Sequence, residues 1–194
     1  DLLHHLTFSN NQFEKAQGQE GMVMTVFTMP DYDMVFKLIK DRFNYPKDST
    51  RKDVMAKYDL VYRHDRAGRL VDAQSFEYLQ FHRRRFTEPF VQELLNHAAQ
   101  TVEIEGDNVT IKHCYVERRV IPLDIYVKEA ADRAAQSATL DYGNAIKDLA
   151  NSNIFPGDML LKNFGVTRNG RVVFSVYDEV CFLVECKFRR YPTA

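Results

Sequence analysis

Asp158 and Asn163 stand five residues apart just beyond a long Ala-rich stretch, and a second acidic pair, Asp178 and Glu179, follows after two short apolar runs. A carboxylate can accept or orient a hydroxyl proton, a carboxamide oxygen suits magnesium, and a later carboxylate can add to the metal's oxygen shell. Lys162, between the first two, is placed to neutralise charge on a phosphoryl group in transfer. Together these are the ingredients of a metal-nucleotide phosphoryl-transfer site. Asp and Asn are also frequent turn formers, so the same spacing equally describes a plain loop after a helix. A second candidate lies far upstream. Lys37 sits in the apolar run 35–43, where its stem can pack while its ammonium reaches phosphate oxygens; the alternative is an edge-strand lysine facing solvent. Lys40, three residues on, falls on the opposite face of a strand and cannot do the same job.

The elements that position these residues are legible in outline. Leu2, Leu3, Leu6 and Phe8 read as the tail of a helix, and residues 13–29 as two strands around the turn Gly18-Gln19-Glu20-Gly21, where Glu20 puts a negative charge. Pro46 to Ser49 breaks the chain before a helix with Val54, Met55, Tyr58 and Val61 at helical spacing. A mixed, strand-like segment over 70–81 leads into His82-Arg83-Arg84-Arg85-Phe86. Residues 87–99 form a helix opened by Thr87, Glu88 and Pro89, with Phe90, Val91, Leu94 and Leu95 inward. Residues 101–104 and 109–116 alternate around Gly106-Asp107-Asn108, a hairpin signal. His113 and Cys114 within it point to opposite faces and so are packed residues rather than a metal pair. Residues 130–151 form the longest helix, carrying Leu140, Ile146 and Leu149 and weakened by Gly143. The corner Asn169-Gly170 joins two strands, 164–167 and 172–174.

The runs Gly21-Met22-Val23-Met24, Val35-Phe36-Lys37-Leu38, Tyr142-Gly143-Asn144-Ala145-Ile146-Lys147, Ile154-Phe155-Pro156-Gly157-Asp158-Met159-Leu160 and Asn163-Phe164-Gly165-Val166-Thr167-Arg168 closely resemble the bacterial isocitrate dehydrogenase kinase/phosphatase family, in order over nearly the whole chain. The resemblance implies an α+β, protein-kinase-like fold: an antiparallel N-lobe sheet plus the start of a helical C-lobe, truncated. Residues 1–12 would end a preceding region, 13–116 form the N-lobe, and 117–194 the hinge and partial C-lobe. It implies ATP and Mg2+ as cofactors, with Lys37, Ala16, Gly18, Gly21 and Met22 on the nucleotide. Asp158 and Lys162 would be catalytic, and Asn163 and Asp178 magnesium ligands. Either Glu77 or Glu93 would pair with Lys37. The implied activity is phosphorylation of a serine of isocitrate dehydrogenase, with removal of that phosphate, switching carbon between the citric acid cycle and the glyoxylate bypass. His64-Asp65-Arg66 imitates the catalytic-loop triplet of kinases in the wrong order and reads as a decoy turn. One position departs: where the family reads Asp-Tyr-Asp-Glu, this chain reads Val176-Tyr177-Asp178-Glu179. A valine cannot coordinate magnesium, and Asp178 lies on the same face only if the segment stays extended. A non-catalytic nucleotide-binding or dehydrogenase-docking module is therefore the alternative.

The composition sets outer bounds. With 194 residues and 45% hydrophobic content the chain can bury a real core. Lys plus Arg (26) nearly balances Asp plus Glu (27), so no overall field draws in nucleic acid or an anionic membrane. The short basic run around Arg83 reads as a solvated face or a structural or docking element. No run of eighteen apolar residues is present to span a bilayer, and three cysteines without a C-x-x-C pair suggest reduced, buried thiols in a cytoplasmic protein. Both ends read as cut, the chain stopping sixteen residues after Asp178.

Overall fold

Strands form where β-branched and aromatic residues concentrate, in a computed structural model that describes residues 2–18, 21–64 and 67–187. In chain order the elements are helix α1 (Leu2–Phe8), strands β1 (Glu14–Lys15), β2 (Met24–Thr28) and β3 (Met34–Ile39), helix α2 (Arg51–His64) and strand β4 (Ala73–His82). Helix α3 (Glu88–Ala98), strands β5 (Val102–Glu105), β6 (Asn108–Arg118) and β7 (Ile121–Pro122), and helices α4 (Leu123–Glu129) and α5 (Asp132–Asn151) follow. The last strands are β8 (Ile154–Phe155), β9 (Phe164–Val166), β10 (Val172–Phe174) and β11 (Cys181–Phe182). The α+β expectation holds. The chain divides into two compact units, residues 1–52 with 71–119 and residues 53–70 with 120–194.

In the first unit an antiparallel sheet runs β1-β2-β3-β6-β4, with β5 also paired to β6. Strand β6 is its spine. One edge pairs β4 along nearly its full length, while the other serves β5 at its start and β3 at its end. β4 lies at the sheet's edge and is largely exposed, which explains its mixed composition. The core is aromatic: Phe13 is fully buried and packs edge-on against Phe27, Phe36 and Phe81 at ring distances of 5.0–5.3 Å. Helix α3 closes it with Phe90, Val91, Leu94 and Ala98. The strand expected over 35–43 ends at Ile39, because the Lys40 ammonium turns back to the Gly21 carbonyl and the chain leaves the sheet.

The second unit holds most of α2, the helices α4 and α5, a small sheet β10-β9-β7 and the pair β8-β11. Val54, Tyr58 and Val61 are buried, as their spacing predicts. Tyr177 packs on Tyr58 and Phe174 at 5.2 and 5.5 Å, and Phe164 lies between Phe174 and Tyr142. Leu140, expected on the apolar side of α5, is 74% exposed. The buried positions are instead Ala138, Ala145 and Leu149, and the partly exposed Asp141 and Asp148 answer a buried arginine. Arg69 donates to both Asp141 oxygens at 2.8 Å, to Asp148 at 2.7 Å and to the Val172 carbonyl at 3.0 Å. Asp141 in turn accepts the Val172 N–H at 2.7 Å, so this network clamps α5 to β10.

Candidate functional site

Lys37 occupies the middle of β3, between Val26 of β2 and Tyr115 of β6, and is 8% exposed. Its ammonium meets Glu117 at 2.6 Å, and that carboxylate is itself 1% exposed. Glu117 lies two residues beyond the direct partner Tyr115 on the same face of β6, a diagonal cross-strand contact. The expectation that Glu77 or Glu93 pairs with Lys37 is therefore corrected. Glu93 of α3 is engaged by Lys15 at 2.9 Å, and Glu77 lies on the exposed edge strand opposite His113. The alternating pattern predicts a strand ending at Val116; two more residues of β6 carry Glu117 into place.

Lys40 is just past the strand and 3% exposed, with Nζ donating to the Gly21 carbonyl at 2.8 Å. It braces the glycine turn. Around the β1–β2 hairpin, Ala16 N–H donates to Val26 O at 3.0 Å, Gly18 adopts φ +125°, and the Met22 carbonyl accepts from Asn44 N–H. Gly18 is exposed and Gly21 and Met22 are partly covered, whereas Glu20 and the turn's centre lie outside the described residues. A Cβ on Gly21 would come 2.9 Å from the Met24 carbonyl, so the turn needs glycine there.

In the second unit α5 ends at Asn151, and Asn153 takes a left-handed φ of +60° that turns the chain into β8. Pro156 is buried, and Gly157 at φ +82° lies so near Glu179 that a Cβ would meet its carbonyl oxygen at 2.4 Å. Asp158 follows. Its Oδ1 accepts the Leu160 N–H at 2.9 Å, which fixes the carboxylate in an Asx turn. A single 3-10 turn over Leu161–Asn163 then brings Asn163 back, its Nδ2 donating to the Asp158 carbonyl at 3.4 Å. The structure thus joins Asp158 and Asn163 in one short loop. Lys162, within that turn, makes no ion pair among the described residues.

Ser175 donates both its N–H, at 3.0 Å, and its hydroxyl, at 3.3 Å, to the Asn163 carbonyl. Val176 is therefore the residue immediately after one bonded to Asn163. Asp178 behaves differently from the extended-strand premise: the chain turns over residues 177–180, with Val180 N–H bonded to Tyr177 O at 3.3 Å. Tyr177, packed on Tyr58 and Phe174, opens that turn, so Asp178 lies in a turn rather than in a continued strand. Tyr142 is a residue the sequence reading missed as a loop support. Its hydroxyl donates to the Met159 carbonyl, and burial followed by the Asp158 charge pushes its phenol above the ordinary value.

Other candidates resolve as structural. Arg83 pairs with Glu88 at 2.9 Å, and Arg85 donates to the carbonyls of Leu6, Ser9 and Asn11, tying down the end of α1. Phe86 is in the core. His113 contacts Ser75 at 3.0 Å, and burial, then the nearby Arg51 charge, lowers its pKa. Cys114 is buried and its thiol is pushed up to about 12; Cys181 and Cys186 are only half-buried, with sulfurs 3.5 Å apart. Asp65 and Arg66 of the decoy turn lie outside the described residues. No helix among the described residues is long and apolar enough to cross a membrane.

Residues 11–194 match the family described as "Isocitrate dehydrogenase kinase/phosphatase (AceK) kinase domain". Proteins named isocitrate dehydrogenase kinase/phosphatase are similar along the whole chain. The one from Xanthomonas axonopodis pv. citri (strain 306) is 52% identical over 190 residues, 98% of this chain and 33% of that protein. The one from Anaeromyxobacter sp. (strain Fw109-5) is 50% identical over 193 residues, 100% of this chain and 34% of its own length. That from Burkholderia mallei (strain SAVP1) is 50% identical over 192 residues, 99% and 32% respectively. The chain thus spans about a third of the length of the curated relatives it matches.

Proposed function

The chain belongs to the isocitrate dehydrogenase kinase/phosphatase kinase-domain family, with a kinase-like α+β fold, and from that premise we propose that it carries the ATP-dependent phosphoryl-transfer machinery of such an enzyme. The substrate proposed is a serine of isocitrate dehydrogenase, phosphorylated by ATP and dephosphorylated at the same site with water as the acceptor of the phosphoryl group, so that flux divides between the citric acid cycle and the glyoxylate bypass. A cytoplasmic location goes with this reading. The observation that carries it is the loop in which the Asp158 carboxylate is fixed by Leu160 N–H and linked back to Asn163. Such a loop does the two things phosphoryl transfer asks of a protein, positioning and charge stabilisation.

In this reading Lys37 holds the nucleotide's phosphates, and the hairpin around Gly18, Gly21 and Met22 covers them. Asp158 orients the serine hydroxyl and takes its proton as the oxygen attacks the terminal phosphorus, whose bond to the bridging oxygen breaks to release ADP; Lys162 offsets charge on the moving group. Asn163 fits a magnesium ligand: its Nδ2 is turned to the Asp158 carbonyl, which leaves Oδ1 as an oxygen donor. Bound magnesium would neutralise phosphate charge. Asp178 is the acidic residue proposed to join Asn163, since Val176 offers no donor. A second reading, a nucleotide-binding or dehydrogenase-docking module without transfer, is favoured by Val176 alone.

The test is titration with ATP, with and without magnesium, followed by phosphate transfer to isocitrate dehydrogenase, for the parent and the Lys37→Ala and Asp158→Asn variants. Magnesium-dependent binding weakened by Lys37→Ala, with transfer abolished by Asp158→Asn, is the expected result. Binding without transfer by the parent selects the second reading, and no binding by folded protein overturns both.

A further inference from the structure

Kinases that pair a strand lysine with a glutamate of the neighbouring helix can break that pair by moving the helix. Here both carboxylates of α3 are engaged elsewhere: Glu93 by Lys15 at 2.9 Å, and Glu88 by Arg83 at 2.9 Å and Gln92 at 3.0 Å. The carboxylate at Lys37 comes from a strand of the same sheet, Glu117 of β6 at 2.6 Å. We infer that Glu117 is the positioning residue for Lys37, and that the pair is built into the register of β3 on β6 so that it forms independently of where α3 lies. This rests on the reading of Lys37 as the phosphate-binding lysine.

Three features support it. Val35 pairs with Glu117 and Lys37 with Tyr115, so the ladder's hydrogen bonds fix the two Cα positions before either side chain is considered. The side chains are 10% and 1% exposed, and an ammonium in such a place without an opposed carboxylate would turn to water. Tyr115 and Val116 beside the glutamate are buried as well, so the carboxylate has little room to leave. A lysine held this way is aimed at phosphate before nucleotide arrives and stays aimed in every position of the helix. Switching of the site by breaking this pair through α3 is thereby removed, and control has to act on other residues.

The experiment measures KM for ATP and kcat in the full-length protein for Lys37→Ala, Glu117→Gln, Glu117→Asp and Glu93→Gln, with thermal melting of each to verify folding. Glu117→Gln keeps the shape and removes the charge; it is expected to raise KM for ATP by about 10- to 100-fold, the loss of one charge-assisted contact. Its kcat should fall less than KM rises, Glu117→Asp should recover part of the loss, and Glu93→Gln should match the parent. Unchanged KM in folded Glu117→Gln, while Lys37→Ala weakens ATP, overturns the proposal and leaves the phosphate-lysine reading standing. A Glu93→Gln loss equal to that of Glu117→Gln also overturns it, because the helix would then supply the carboxylate. An unchanged KM in Lys37→Ala removes the underlying reading and the proposal with it. If Glu117→Gln does not fold, a folded Glu117→Asp with the parent's KM counts against the proposal, and a raised KM supports it.

Discussion

Replacing Gly157 by alanine separates backbone strain from crowding at the loop that carries Asp158. Gly157 has φ +82°, and an added Cβ would lie 2.4 Å from Glu179 O, 2.5 Å from Glu179 Cβ and 2.9 Å from Glu179 C. Ordinary carbon contacts begin near ~3.5 Å, so the overlap is about 1 Å, and two of the three atoms are backbone. The positive φ alone costs an L-residue about 1–2 kcal/mol. Crowding adds roughly 1–3 kcal/mol, the range for overpacked sites, giving a total of about 2–5 kcal/mol. Gly170 supplies the control: φ is +77° and nothing lies within 4 Å of its Cβ position, so Gly170→Ala should lose only the strain. The loop relieves the overlap by moving about 1 Å, a displacement of the order that lowers turnover ~100-fold when it reaches a reacting group. Urea unfolding and phosphate transfer to isocitrate dehydrogenase are the assays. If Gly157→Ala unfolds within about 0.5 kcal/mol of Gly170→Ala and turns over like it, the claim that Glu179 crowds this loop is wrong.

The remaining expectations concern other parts of the chain. Val176→Asp, next to the residue bonded to Asn163, should tighten magnesium-dependent ATP binding by about tenfold, the worth of one added charged contact; isothermal titration with and without magnesium checks it, and no change would mean that this position is not at the metal. Arg69→Met should lower stability by about 2–4 kcal/mol, since Asp141 and Asp148 lose their partner yet keep side-chain exposures of 25% and 41% for partial rehydration. Arg69's hydrogen bond holds Asp141 below its ordinary 3.8, so that stabilisation is full above pH 3.8 and is lost as pH falls through the lowered value; in Arg69→Met the acid limb of the stability profile should flatten. His113 titrates below its ordinary 6.5 because of burial and then Arg51, against a smaller opposing pull from Glu77, with Ser75 and Tyr115 as neutral neighbours. The folded state resists the proton, so stability should decline as pH drops below 6.5, and His113→Gln should reduce that decline in urea titrations.

What could be read from the sequence was what chain neighbours decide. The corners Gly106-Asp107-Asn108 and Asn169-Gly170 each close a hairpin at the expected place, and Val54, Tyr58 and Val61 are buried as their spacing requires. Asp158 and Asn163 come together for the same reason: their separation in sequence is one turn of loop. The length of β3 was not legible, because the feature that ends it is the Lys40 contact with a carbonyl nineteen residues earlier. Leu140 is exposed because the buried positions of α5 are Ala138, Ala145 and Leu149, and the side chains next to them, Asp141 and Asp148, make sense only with Arg69 beside them.

The same division applies to two candidate residues, Lys37 and Asp178. Lys37 was recognisable from its apolar strand, but its partner depends on the register between strands some eighty positions apart, and a strand drawn to end at Val116 hides it. A shift of one residue in that register would send Glu117 to the other face of the sheet, so the ion pair and the pairing of β3 with β6 specify each other. Continued extension from Val176 would keep Asp178 in a strand, whereas the chain turns over residues 177–180, with Tyr177 packed on Tyr58 and Phe174. The aromatic contacts fix the turn and the turn fixes the acid. If Asp178 serves the proposed metal at Asn163, Tyr58→Ala is expected to weaken magnesium-dependent ATP binding by loosening the packing under Tyr177, and unchanged binding in the folded variant would refute that coupling.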